Sequence, residues 1–155
     1  MTKFEELGVS QDILKAMEEM GFEDPFPIQE AAIPVLLTGR DVVGQAHTGS
    51  GKTAAYAVSM LQDVKPDRTI QGLVLAPTRE LAMQITDAMR EFGRYTDIRV
   101  ATIYGGQGMN VQTDALERGV ATSISTPLSS VEPLRSTTYG MSCWTRPTPC
   151  WTWDS

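Results

Sequence analysis

Three observations in the sequence predict an α/β fold with a mainly parallel sheet. The first is a glycine-rich loop, Ala46-His47-Thr48-Gly49-Ser50-Gly51-Lys52-Thr53, entered from the apolar run Asp41-Val42-Val43-Gly44 and left through Ala54-Ala55-Tyr56-Ala57-Val58, which reads as strand, loop, helix. The second is a short apolar run, Gly72-Leu73-Val74-Leu75-Ala76, of the kind buried on both faces of a parallel sheet. The third is the alternation of strand-like and helix-like segments along the chain. Ligands of such a domain gather at the carboxyl ends of its strands.

The elements follow in order. Ser10 is placed to cap a helix whose apolar positions Ile13, Leu14, Met17 and Met20 keep the helical period, and Gly21 stops it. Pro25 and Pro27 stiffen the next stretch. Pro27 suits a first helical residue, so Ile28 to Leu37 reads as a helix ended by Gly39, although Pro34 works against its continuity. Beyond the loop, Lys52 to Val64 reads as a helix with Tyr56, Met60 and Leu61 on one face, and Lys65-Pro66-Asp67-Arg68 as a turn. Thr78 caps a helix carrying Leu81, Ile85, Met89 and Phe92 at helical spacing. Ile98 to Tyr104 is a strand ending in Gly105-Gly106, and Asn110 to Arg118 is a brief helix with Gly119 as its stop.

The totals exclude several classes. A chain of 155 residues is one domain by the usual length prior. No run of eighteen apolar residues occurs and the first residues carry no signal-peptide core, so a soluble, cytoplasmic protein without a membrane partner is expected. A net charge of −6 argues against a surface that coats nucleic acid generically, so any nucleic acid must be held locally. Cys143 and Cys150 are too few for a disulfide framework, and no histidine near them completes a zinc set. Both cysteines and Trp144, Trp151 and Trp153 crowd into the C-terminal tail, whose composition differs from the rest.

The loop carries the chemistry. Backbone N–H groups at a helix N-terminus favour a bound anion, so residues 46–53 are read as a polyphosphate cradle, with Lys52 reaching the terminal phosphates and the Thr53 hydroxyl ligating Mg²⁺. Ala46 stands where a strict phosphate-loop pattern has its first glycine. His47, the sole histidine, is read as a tolerated loop side chain, since nothing places it against an attacking water.

Several separated motifs together resemble one family, the DEAD-box ATP-dependent RNA helicases. Phe22-x-x-Pro25-x-Pro27-Ile28-Gln29 resembles that family's Q motif, with Phe4 as its isolated upstream aromatic. Residues 46–53 look like motif I, including the alanine. Pro77-Thr78-Arg79-Glu80-Leu81-Ala82 is similar to motif Ia, Gly105-Gly106 to the GG motif, and Thr126-Pro127 to the start of motif Ib. The resemblance spans about residues 1 to 120 and implies a RecA-like domain that binds ATP with Mg²⁺ and tracks RNA. It divides the chain into a Q-motif region, 1–38, a partial RecA-like domain, 39–127, and an aberrant, disordered tail, 128–155. Accessory proteins are left unspecified.

The residue chemistry agrees with those roles. An amide such as Gln29 offers the donor and acceptor needed for adenine's N6 and N7, against a plainer reading as a first-turn capping amide. Phe4 offers a stacking surface, or else is a core aromatic. Thr78 and Arg79 at a helix start suit a strand phosphate, and Gly105-Gly106 lets a sugar-phosphate backbone come close.

The pattern then breaks. Leu128-Ser129 follow Thr126-Pro127 where the family has Gly-Arg, and neither the Asp-Glu-Ala-Asp box nor the Ser-Ala-Thr motif occurs. Trp has one codon, so Trp144-Thr145 and Trp151-Thr152 each contain an Asp codon one base out of frame. Each Cys-Trp pair likewise contains a Leu codon, and Trp153-Asp154 a Gly codon. The shifted tail can read Val-Leu-Asp-Glu-Ala-Asp-Thr-Met-Leu-Asp-Met-Gly-Phe, so the tail is read as the right gene in the wrong frame, with the irregular Ala121-Thr122-Ser123 marking a first slip and Leu128 a second. An unrelated C-terminal extension is the bland alternative. Two rival functions remain: a non-catalytic nucleotide-binding module, and another phosphate-loop NTPase such as a DNA helicase or a small-molecule kinase.

Overall fold

A computed structural model of the protein describes residues 3–66, 69–105, 109–117, 119–120, 122–125 and 152–154. In order they form α1 (Lys3–Glu6), α2 (Gln11–Glu19), α3 (Pro27–Leu37), β1 (Val43–Gln45), α4 (Lys52–Asp63), β2 (Gly72–Leu75), α5 (Arg79–Phe92), β3 (Val100–Ile103), α6 (Met109–Glu117), β4 (Thr122–Ser125) and β5 (Thr152–Asp154). Every described strand pair is parallel, as expected, but the strands make two ladders rather than one: β1 with β5, and β2-β4-β3.

The middle strand of the larger ladder, β4, is a correction to the sequence reading, which left residues 121–123 irregular. Its Thr-Ser-Ile-Ser sequence lacks the apolar run that marks β2, yet backbone pairing on both edges makes it a strand, with Thr122 and Ile124 fully buried. Within the tail read as disordered, residues 152–154 pair with β1, Gly44 opposite Trp153. The rest of residues 126–155 lies outside the described residues.

Helix α4 is the hub of the packing. Ala54, Ala55, Ala57, Val58, Ser59, Met60 and Leu61 are all buried, so the helix is enclosed on more than the single face expected for Met60 and Leu61, and Tyr56 is half-buried. Short alanines allow α3 and α5 to close on it from two sides. One apolar cluster runs from Phe4 through Ile33, Val58 and Met89 to Ile124, so the N-terminal helices share the core of the sheet.

Polar contacts fix the same arrangement. The Gln62 amide on α4 donates to the Gly8 carbonyl at 2.7 Å and accepts from the Ser10 N–H at 2.7 Å. That amide pins the link between α1 and α2 onto α4. Ser10 is the N-cap residue of α2, as predicted, but its side chain makes no cap hydrogen bond. Thr78 does cap α5, its hydroxyl accepting from the Leu81 N–H at 3.2 Å. Helix α3 passes through Pro34 unbroken. Pro34 and Glu30, whose carbonyl loses its donor, are both exposed, so water can satisfy that carbonyl. Among the described residues no helix is long and apolar enough to cross a membrane.

One buried group is unsatisfied. The Thr122 hydroxyl, on a residue with no exposed surface, has no hydrogen-bond partner. It faces Gly72, where an added Cβ would lie 2.9 Å from the Met60 sulfur and 3.0 Å from the Thr122 Oγ1, so a larger residue at the start of β2 would have to displace those side chains. An orphaned buried hydroxyl costs about 1–3 kcal/mol. Thr122→Val keeps the branched shape and removes that cost, so urea unfolding should show the variant more stable by about 1 kcal/mol. A lower midpoint would contradict this account of β4.

Candidate functional site

The glycine-rich loop lies between β1 and α4. Gly51 is the N-cap residue of α4 and adopts φ +86°, a left-handed conformation that side-chain-bearing residues avoid. It therefore supplies no capping oxygen. The first N–H groups of a helix have no intrahelical acceptor, so those opening α4 face the loop with the positive end of the helix dipole behind them. The Ser50 hydroxyl is also buried without a partner. A loop that leaves amide donors and a buried hydroxyl unmet, and places a lysine beside them, has the chemistry of an anion site.

Lys52 closes the loop on itself. Its ammonium donates to the Ala46 carbonyl and, at 3.3 Å, to the His47 carbonyl. The Ser50 N–H donates to the same His47 carbonyl at 3.3 Å, while the His47 residue is exposed, as are Thr48 and Gly49. A phosphate entering the loop offers the ammonium a charged acceptor in place of two neutral carbonyls, roughly twice as strong a partner.

Thr53, the second residue of α4, is half-buried and shares a side-chain hydrogen bond with Tyr56, one turn along the helix. Burial pushes the Tyr56 phenol up to about 12, and the hydrogen bond with Thr53 works in the opposite direction. The phenol is thus neutral at physiological pH and orients the threonine without adding charge. Mg²⁺ takes hard oxygen ligands and is usually held by one or two protein oxygens together with phosphates and water. The Thr53 hydroxyl is such an oxygen. Among the described residues no three His, Cys, Asp or Glu side chains gather into a metal cluster. Cys143 and Cys150 lie outside the described residues.

Gln29 joins the loop from α3. It is fully buried, its Oε1 accepting from the Phe26 N–H at 2.9 Å and its Nε2 donating to the Gly51 carbonyl at 3.1 Å. The first bond is half of a capping box, and Phe26 has no side-chain oxygen for the other half. The plainer reading of Gln29, a first-turn capping amide, thus describes one of its two bonds. One amide proton and one acceptor lone pair are left over. A Cβ on Gly51 would lie 2.3 Å from Gln29 Nε2, so α3 and the loop are in direct steric contact.

Of the upstream aromatics, Phe4 is a core residue and Phe22 is half-buried against the core. Phe4 is 1% exposed and meets Phe22 edge-on at 6.5 Å between centroids, and Phe22 meets Phe92 at 5.4 Å. Phe4 presents no free face and would have to leave the core to stack on a base. Pro27 opens α3 and is exposed.

The second group of predicted residues follows the strand ends of the larger ladder. Leu75 of β2 and Ile103 of β3 sit level with Ser125 of β4, so the segments that follow them leave the same edge. Pro77, Thr78 and Arg79 follow β2, and all three are exposed. Gly105 is an exposed turn residue after β3. Gly106, Thr126 and Pro127 lie outside the described residues. Sequence reasoning missed Tyr104, whose ring lies under the Arg79 guanidinium at 4.4 Å, and Gln112, which hydrogen-bonds the Tyr104 backbone. An aromatic immediately before Gly105-Gly106 was the available signal.

This geometry agrees with comparisons of sequence and structure. The sequence profile of the DEAD/DEAH box helicase family matches residues 26–141. The chain belongs to that family. The DEAD/DEAH box match begins at Phe26, after Phe4 and Phe22, and continues past residue 120, where the resemblance of separate motifs was read to end. The DEAD-box ATP-dependent RNA helicase RhpA of Helicobacter pylori (strain ATCC 700392 / 26695) is 43% identical over 133 residues, covering 86% of this chain and 27% of RhpA. The ATP-dependent RNA helicase DeaD of Haemophilus influenzae is 45% identical over 141 residues, covering 90% of this chain and 23% of DeaD. The chain therefore spans about a quarter of the length of these relatives. Among solved structures, the RNA helicase Prp28 of Chaetomium thermophilum bound to ADP has a TM-score of 0.72 at 38% identity, covering 79% of this chain and 31% of Prp28. A hypothetical ATP-dependent RNA helicase from Sulfolobus tokodaii has a TM-score of 0.69 at 39% identity, covering 76% of this chain and 34% of that one. The expected RecA-like α/β fold is thus shared with these helicase structures.

The contact between Gly51 and Gln29 is testable. Gly51→Ala meets both the left-handed strain, about 1–2 kcal/mol, and the Gln29 amide, and should lower the urea midpoint accordingly. Combining it with Gln29→Ala should return part of the loss. Wild-type stability of Gly51→Ala would contradict the geometry described.

Proposed function

We propose that the loop of residues 46–53 binds the phosphates of ATP, and that the chain is the nucleotide-binding part of an ATP-dependent RNA helicase working in the cytoplasm. The single observation that carries this reading is the start of α4, an uncapped helix N-terminus with the buried, unpartnered Ser50 hydroxyl in its loop and Lys52 turned back onto it. Ala46 to Gly51 supply backbone donors, Lys52 pairs with the terminal phosphates, and Thr53 ligates Mg²⁺. Held in part by the Thr53 hydroxyl, the ion would supply charge neutralisation to the phosphates.

Adenine recognition is assigned to Gln29, whose fully buried amide has to be uncovered before its spare proton and lone pair can meet the base, with Phe22 and Pro27 flanking the approach. Because the same amide holds the Gly51 carbonyl, adenine and phosphate binding act on one side chain. RNA is proposed to lie along Pro77, Thr78 and Arg79 and over Gly105-Gly106, with Thr126 and Pro127 continuing the track. The contacts are few and local, as the acidic chain requires. Strand separation and hydrolysis belong to the longer helicase.

A second reading has its own support. The sequence contains no Asp-Glu-Ala-Asp tetrapeptide, the box whose carboxylates hold Mg²⁺ and position water in the family it resembles. By itself this chain is then a nucleotide-binding module that holds ATP without turning it over. Phosphate release in the presence of RNA should stay at the buffer rate. RNA-stimulated turnover would remove this reading, and with it the assignment of hydrolysis to the longer helicase, while leaving ATP binding by the loop.

Titration of a fluorescent ATP analogue tests the loop. Lys52→Ala loses a charge-assisted contact worth about 1.5–3 kcal/mol, so the dissociation constant should rise about 10- to 100-fold. Equal constants would sink the phosphate assignment. In competition with GTP, Gln29→Ala should narrow the preference for ATP, and an unchanged ratio would leave Gln29 a structural residue.

A further inference from the structure

Arg79 occupies an electrostatically awkward place. It is the first residue of α5, where the helix dipole disfavours a cation, and among the described residues none of the ion pairs includes it. What it has instead is a ring. Its guanidinium carbon lies 4.4 Å from the centroid of Tyr104, and one terminal nitrogen lies 3.5 Å from the phenol oxygen, the outer limit of a hydrogen bond.

Tyr104 is itself held by a dedicated side chain. The β3–β4 ladder ends at Ile103 opposite Ser125, so Tyr104 is the first residue beyond the pairing. There the Gln112 side chain, only 8% exposed on α6, takes the place of a neighbouring strand. Its Oε1 accepts from the Tyr104 N–H at 3.2 Å and its Nε2 donates to the Tyr104 carbonyl at 2.9 Å. Both ends of one buried amide are used on one residue. Tyr104 is half-buried, so its ring is a fixed ledge rather than a free surface aromatic.

We propose that Gln112 and Tyr104 are positioning residues for RNA binding: Gln112 fixes the Tyr104 backbone at the end of β3, and the Tyr104 ring holds the Arg79 guanidinium ready for a strand phosphate. The inference rests on the RNA track proposed above and adds to it the device that orders its only arginine. An unrestrained arginine loses rotamer freedom when it pairs with phosphate, and stacking on a planar ring pays that entropy in advance. The same clamp joins the start of α5 to the residue before the turn at Gly105, linking the two proposed RNA-binding segments.

The test is a double-mutant cycle on the full chain, with a fluorescein-labelled single-stranded oligouridylate and a non-hydrolysable ATP analogue, read by anisotropy over a range of salt. Tyr104→Leu should weaken RNA binding about three- to tenfold while leaving affinity for the ATP analogue unchanged. Tyr104→Phe keeps the ring and should retain most of the affinity. In an Arg79→Ala background, Tyr104→Leu should add nothing, because the ring acts through the guanidinium. Arg79→Lys, which keeps the charge but loses the planar stack, should repeat the Tyr104→Leu loss, and it leaves Tyr104 untouched should the leucine variant fold poorly. Additive losses in the cycle, or wild-type RNA affinity of Tyr104→Leu or Arg79→Lys, would overturn the clamp while leaving the RNA track intact. Unchanged RNA affinity of Arg79→Ala itself would overturn the track and the clamp together.

Discussion

Helix α4 begins half-buried and without a side-chain cap. Its sides are taken by α3, α5 and the core, so its N-terminal amide groups open in one direction only, into the loop of residues 46–53. Gly51 at the N-cap cannot satisfy them, and any side chain there would strike Gln29. The remaining features of the site answer to this constraint. Lys52 folds back onto loop carbonyls, the Ser50 hydroxyl is left without a partner, and Gln29 ties the Gly51 carbonyl to the start of α3. On the proposed function, a loop in this state would exchange weak internal contacts for a bound phosphate.

Elements with strong periodicity or strong punctuation were legible in the sequence. Helix α5 shows its buried face in Ile85, Met89 and Phe92 and its start in Thr78, whose hydroxyl does cap the helix. Helix α3 was legible through Pro27 and Gly39. Strand β4 was not, because Thr122 and Ser123 carry no hydrophobic signal and the strand exists through its two neighbours. Pairing partners far apart in sequence are invisible to a local pattern. The same limit hid the pairing of β1 with β5 and the division of the strands into two ladders.

The site was legible where a motif maps onto one continuous segment, as in residues 46–53 or Pro77-Thr78-Arg79. It was less so where a residue's surroundings decide its role. Phe4 and Gln29 stand at the right places in the sequence, yet the structure buries the first among Phe22 and its neighbours and gives the second two internal partners. Tyr104 and Gln112 were missed for the same reason, since the hydrogen bonds between them and the stack on Arg79 join three separate elements. Motif order identifies the family, and tertiary contacts say which side chains are free to act.

The central claim is that α4 begins in unmet donors that a nucleotide's phosphates satisfy. Amide hydrogen–deuterium exchange of the purified chain, with and without saturating Mg²⁺ and ATP, tests it residue by residue. The account predicts slower exchange concentrated in residues 46–55, the loop and first turn of α4, with a smaller effect at Phe26 and Gln29. Unchanged exchange across residues 46–55, with ATP bound or not, would contradict it.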